Sequence, residues 1–83
     1  MTMHDLIYQA IRSEVQRATA LHPEWPADPI HATAIVAEES GEAIRAAVQL
    51  VYEDGELDEL RTELIQTAAT CVRALAHLTG GAK

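Results

Sequence analysis

Glu56-Leu57-Asp58-Glu59-Leu60-Arg61-Thr62-Glu63-Leu64-Ile65-Gln66-Thr67-Ala68-Ala69-Thr70-Cys71-Val72-Arg73-Ala74-Leu75-Ala76-His77-Leu78 holds the pattern that decides the fold. At about 100° per residue, Leu57, Leu60, Leu64, Ala68, Cys71, Leu75 and Leu78 fall in one arc. Ile65, Ala69, Val72 and Ala76 fall in a second arc beside it. The remainder is one narrow polar stripe: Glu56, Glu59, Glu63, Gln66, Thr70, Arg73 and His77. A peripheral helix needs one apolar face, and this one has two. The pattern predicts a helix over 56–78 that touches both its own chain and a partner.

Working outward, Glu53-Asp54-Gly55 breaks the chain, and a second helix is predicted over 29–52. Val36, Ser40, Ile44, Ala47 and Val51 share its apolar side. His31, Glu38, Glu42, Arg45 and Gln49 share its polar side, with Glu39 on the shoulder. Asp28-Pro29 reads as its start, an N-cap followed by proline at the first helical position. Upstream, His22-Pro23-Glu24-Trp25-Pro26-Ala27-Asp28-Pro29 carries three prolines in seven residues and cannot continue a helix. A first helix is predicted over 2–21, with Ile7, Ile11, Val15 and Ala18 at helical spacing. Gly80-Gly81-Ala82-Lys83 reads as a frayed tail. The fold class is therefore all-α, three helices in one domain.

The chain has 83 residues, with 13 acidic against 6 basic, a net charge of −7. Phosphate backbones need clustered Lys and Arg, so no nucleic-acid polymer is expected as partner. No membrane is expected either: there is no polybasic anchor, and no apolar run approaches the roughly 18 residues of a span. The N-terminus lacks the basic and apolar regions of a signal peptide, and a cytoplasmic location is expected. Cys71 is the only cysteine, which excludes an intrachain disulfide and a multi-cysteine zinc site. It sits on the apolar arc and reads as an inert core thiol.

Alanine appears fifteen times and phenylalanine not at all. Small side chains bury little area each, at roughly 25 cal/mol per Å². A lone helical chain of this size is marginal. The missing burial is expected from further copies, a dimer or a tetramer with a four-helix-bundle-type core.

Glu38, Glu39 and Glu42 crowd one turn of the second helix. Like-charge neighbours there cost a few tenths of a kcal/mol per pair, and a divalent cation reverses that sign. Glu39 and Glu42, three residues apart, can hold one ion, and Glu63 can close the site across an antiparallel helix pair. The other reading is a solvated acidic face. Gly41 in the same turn costs roughly 1 kcal/mol relative to Ala, and permits close approach by a neighbouring helix or ligand.

Glu38-Glu39-Ser40-Gly41-Glu42 is an EExxE motif, followed by Glu63-Leu64-Ile65-Gln66. On these residues the chain resembles the MazG-like nucleoside triphosphate pyrophosphohydrolases, an all-α family whose second motif is ExxD. The resemblance spans residues 22–78, and His22-Pro23-Glu24-Trp25-Pro26 is similar to a small MazG-like subgroup. It implies Mg²⁺-dependent hydrolysis (Mn²⁺ as substitute) of a nucleoside triphosphate to monophosphate and pyrophosphate, by a dimer or a dimer of dimers. It also implies Glu39, Glu42 and Glu63 as metal ligands, and Glu38 as a ligand or as the group orienting the attacking water. Gln66 stands where the family has Asp. Its carbonyl oxygen can bind the ion but brings no charge. That departure keeps open a second reading, a catalytically degenerate helical dimer that binds nucleotide or protein.

Other residues have two readings each. Arg73 lies two turns beyond Gln66 on the same stripe, positioned to meet a phosphate or to pair with a neighbouring Glu. Trp25 either stacks on a base or closes one end of the helical core. His22 and His31 can donate to a base or phosphate, while His31 can also serve the start of its helix.

Overall fold

The structure, a computed structural model, describes residues 1–79, and the expected tail lies outside them. Three helices follow in order, α1 (Met3–Leu21), α2 (Pro29–Tyr52) and α3 (Leu57–Thr79). There is no strand among the described residues. No described helix is long and apolar enough to cross a membrane.

Local chemistry sets the ends. Thr2 and Asp5 form a capping box: the Asp5 N–H donates to Thr2 Oγ1 at 3.1 Å, and the Thr2 N–H donates to Asp5 Oδ2 at 2.9 Å. α1 therefore starts at Met3, with Thr2 as its cap. Asp28 caps α2 by accepting the Ile30 N–H at 3.0 Å, and Pro29 occupies the first turn without a donor to waste. At the far end of α2, the N–H groups of Glu53 and Gly55 both donate to the Gln49 carbonyl, at 2.9 and 2.8 Å. Asp54 reaches φ 57° to make that turn, a left-handed conformation that Asp tolerates. Gly55 then lies against the helix end, where an added Cβ would sit 2.9 Å from the Gln49 carbonyl carbon. Gly55→Ala is expected to destabilise the α2–α3 turn by about 1–3 kcal/mol, read as a lower Tm. An unchanged Tm would mean the turn yields freely.

α3 packs against both α1 and α2, which do not pack on each other. The chain is thus a layer with α3 in the middle, 45 × 33 × 20 Å overall. Among the described residues the buried apolar ones are four alanines: Ala32, Ala43 and Ala46 on α2, and Ala69 on α3, the last 2% exposed. Small side chains at these contacts let helix axes come close. The second apolar arc of α3 contributes Ala69 and the half-buried Ile65 to this interior.

The predicted apolar side of α2 is only partly engaged. Val36 and Ala47 are half-buried, whereas Ser40, Ile44 and Val51 face solvent. The helix is rotated so that its alanines, not its branched residues, meet α3. Along the leucine arc of α3, Leu57, Leu64, Leu75 and Leu78 are also exposed, at 46–58%.

Candidate metal site

Because α1 and α2 stand apart, a groove runs between them with α3 as its floor. α2 and α3 pair along their length, which brings the EExxE turn level with Glu63. Glu39, Glu42 and Glu63 each place a carboxylate oxygen within 4.8 Å of the other two. That grouping can hold a metal ion. Glu38 points elsewhere, about 100° round the helix from Glu39. Its carboxylate is exposed, and it acts on Glu39 through charge alone.

The electrostatics show what the convergence costs. Burial pushes Glu39 above the 4.5 of a free glutamate, and the charges of Glu42, Glu63, Glu38 and Glu14 push the same way. Glu63 is raised for the same first reason, then by Glu42, which shares its proton when one is bound, and by Glu59. Once both are ionised there is no proton to share, and the buried Oε1 of Glu63 has no hydrogen-bond donor. A buried carboxylate oxygen without a donor is unfavourable by roughly 1–3 kcal/mol or more, and a cation at the triad answers that deficit. Three hard oxygen donors beside solvent are the set that Mg²⁺ prefers.

Two clefts meet at this triad. The first, about 540 Å³, is lined by Glu42, Arg45, Gln49, Asp58, Glu59, Thr62 and Glu63, and is acidic. The second, about 380 Å³, runs the other way from Glu39 and Gln66 to Thr70, Arg73, Trp25 and His22, with Glu14 and Arg17 of α1 on its lip. Gln66 thus stands next to the triad in the direction of Arg73. Its backbone carbonyl accepts from the Thr70 hydroxyl at 2.7 Å, and the residue lines the cleft.

Arg73 is half-buried and makes no ion pair with a neighbouring glutamate. Its guanidinium donates to the His22 carbonyl and lies 4.9 Å from the centre of the Trp25 ring. The His77 ring stacks on Trp25 with centroids 5.6 Å apart, and Nδ1 of His77 lies 2.9 Å from the Arg73 carbonyl. Trp25 is half-buried with Nε1 enclosed and without an acceptor. These contacts fix the Pro-rich connector on the C-terminal half of α3, the core-closing role for Trp25. They also hold an arginine at one end of the cleft that begins at the triad. His31 lies exposed in the first turn of α2 and does not line this cleft.

Sequence reasoning missed Glu14 and Arg17. Arg17 donates twice to Glu14, at 2.8 and 2.6 Å, and this holds the Glu14 carboxyl below its ordinary value. Three residues apart on α1, the pair has the spacing of any surface ion pair, and nothing local marks it as the lip of a cleft.

Neither a family model, nor a curated protein, nor a solved structure matches this chain. The reading of the site rests on its residues.

Proposed function

We propose that the chain is a Mg²⁺-dependent nucleoside triphosphate pyrophosphohydrolase, acting in the cytoplasm as a homo-oligomer of MazG-like type. The supporting observation is the meeting of Glu39, Glu42 and Glu63 from two helices beside a cleft that ends at an arginine. Acid at one end and guanidinium at the other suit an elongated polyphosphate. Mg²⁺, when bound, polarises phosphate oxygens and lowers the pKa of water. Glu39, Glu42 and Glu63 would hold the ion. Glu39, raised above the ordinary glutamate value, is placed to accept the proton of a water that attacks the α-phosphorus. The new bond is oxygen to α-phosphorus, the bond to the bridging oxygen breaks, and pyrophosphate leaves. Gln66 orients the α-phosphate through its amide, and Arg73 receives the far phosphates as a charge-assisted donor. Oligomer formation has its own support: among the described residues no large side chain is fully buried in the single chain.

The test is pyrophosphate release from a panel of nucleoside triphosphates with Mg²⁺ or Mn²⁺. Release that requires the metal and disappears in Glu63→Gln is expected. Intact substrates throughout, with metal still raising Tm, would favour the degenerate binder that Gln66 suggests. Gln66→Asp separates the two. A fourth carboxylate beside the triad is expected to tighten Mg²⁺ by roughly 10-fold or more, read as a larger Tm rise with metal. Activity created by that change in a silent protein would identify Gln66 as the missing charge.

A further inference from the structure

We infer that two copies of this chain pair through the outer face of α2, antiparallel, on a two-fold axis at Gly41. The inference rests on the homo-oligomer reading and is independent of the hydrolase. On α2, Ile30, Ala34, Ala37 and Gly41 recur at alternating steps of four and three, and Ile44, Val48 and Val51 continue the series. Every one of these residues is exposed. The series is the seam that one helix offers to another, and it runs the 24 residues of α2, about 36 Å. The face turned to α3 is a different one, made by Ala32, Ala43 and Ala46.

The seam is complementary to itself when reversed about Gly41. Ala34 then stands level with the partner's Val48, and Ala37 within one residue of the partner's Ile44. Small faces large at each step. Ile30, 80% exposed, meets the partner's Tyr52 and the partner's Val51, themselves 81% and 69% exposed. The most exposed apolar residues of α2 are thus the ones that the pairing joins. Charge agrees independently. Glu38 and Arg45 lie on the same flank of the seam, and in an antiparallel two-fold pair each flank faces its own counterpart. Glu38 comes within one residue of level with the partner's Arg45, and symmetry repeats the pair. Neither residue makes an ion pair within the described chain. At the axis sits a glycine with no intrachain reason to be one: a Cβ at Gly41 would meet nothing within 4 Å. The approach of the partner's backbone supplies that reason.

The test uses the full chain. Sedimentation of the wild type is expected to give a dimer or a tetramer. Glu38→Arg and Arg45→Glu are each expected to weaken the pairing at least about tenfold, and the double variant to restore it. In a Cys71→Ala background, Gly41→Cys is expected to oxidise to a disulfide-linked dimer, since a Gly–Gly crossing brings Cα atoms within roughly 7 Å. Gln16→Cys, exposed on α1, is the control that stays unlinked. A monomeric wild type overturns both the pairing and the oligomer reading. A multimer in which Gly41→Cys does not link, or the double variant fails to recover, overturns this surface alone.

Discussion

Glu39→Gln will raise the Tm of the metal-free protein and at the same time abolish its response to Mg²⁺. The substitution keeps the shape of the side chain and removes one charge from a group of mutually repelling carboxylates. Burial and the charges of Glu42, Glu63, Glu38 and Glu14 all oppose ionisation of Glu39. Relief of a few such neighbours is expected to stabilise by about 0.5–1 kcal/mol, a rise of roughly 3–6 °C in Tm. With Mg²⁺ present the order reverses, because the wild type gains a bound ion and the variant does not. Pyrophosphate release is expected to fall at least about 100-fold. Differential scanning calorimetry with and without Mg²⁺ reads both signs. A variant that melts lower than wild type without metal would mean that the triad is not repulsive.

The same carboxylates set a pH dependence. Glu39 and Glu63 are raised above 4.5 in the folded chain. Their contribution to stability is fully present below that value and is lost as pH rises through their raised values. Glu14 and Asp5 are lowered, by Arg17 and by the Thr2 cap, so their contribution is present above their ordinary values and is lost as pH falls through the lowered ones. Metal-free protein is therefore expected to be most stable in mild acid and to weaken towards neutrality. Mg²⁺ is expected to remove that weakening and Glu39→Gln to reduce it, as read from Tm against pH with and without metal.

Ala69→Leu carries the second large effect. Ala69 is 2% exposed in the middle of α3, on the arc that meets α1 and on the floor of the cleft beneath Glu39. Three added carbons fill the floor of the cleft and crowd the helices that flank it. The helices must separate, at about 1–3 kcal/mol. For a chain with so small an interior, that is a large share of the total, and the helical circular dichroism is expected to melt well below the wild type. Leu64→Ala is the counterpart. Leu64 is 53% exposed in the single chain, so its truncation is nearly neutral in a monomer. A loss of several kcal/mol there would mean that another subunit covers the leucine arc.

The helices were legible in the sequence because their ends carry strong local chemistry. Asp28-Pro29 and the Glu53-Asp54-Gly55 turn each act within a few residues, whereas the Thr2–Asp5 capping box that starts α1 was not read from the sequence. The face that α2 turns inward was not legible. Val36, Ile44 and Val51 outweigh alanine on any hydropathy scale, yet Ala32, Ala43 and Ala46 make the contact. An exposed apolar face and a face that meets its own chain have the same composition. In the site, the three-residue spacing of Glu39 and Glu42 predicted a shared ion, and helix pairing brings Glu63 to them. That Glu38 stands apart follows from the helical angle. The seating of Arg73 against Trp25 depends on the path of the connector, which no periodicity encodes.

The four-alanine interior has one more consequence. With large apolar side chains at most half-buried among the described residues, unfolding an isolated chain exposes less hydrocarbon than is usual for its length, and its heat-capacity increment and denaturant slope are expected to be correspondingly small. Under the proposed homo-oligomer, raising the protein concentration is expected to raise and sharpen the transition, read by melting at several concentrations.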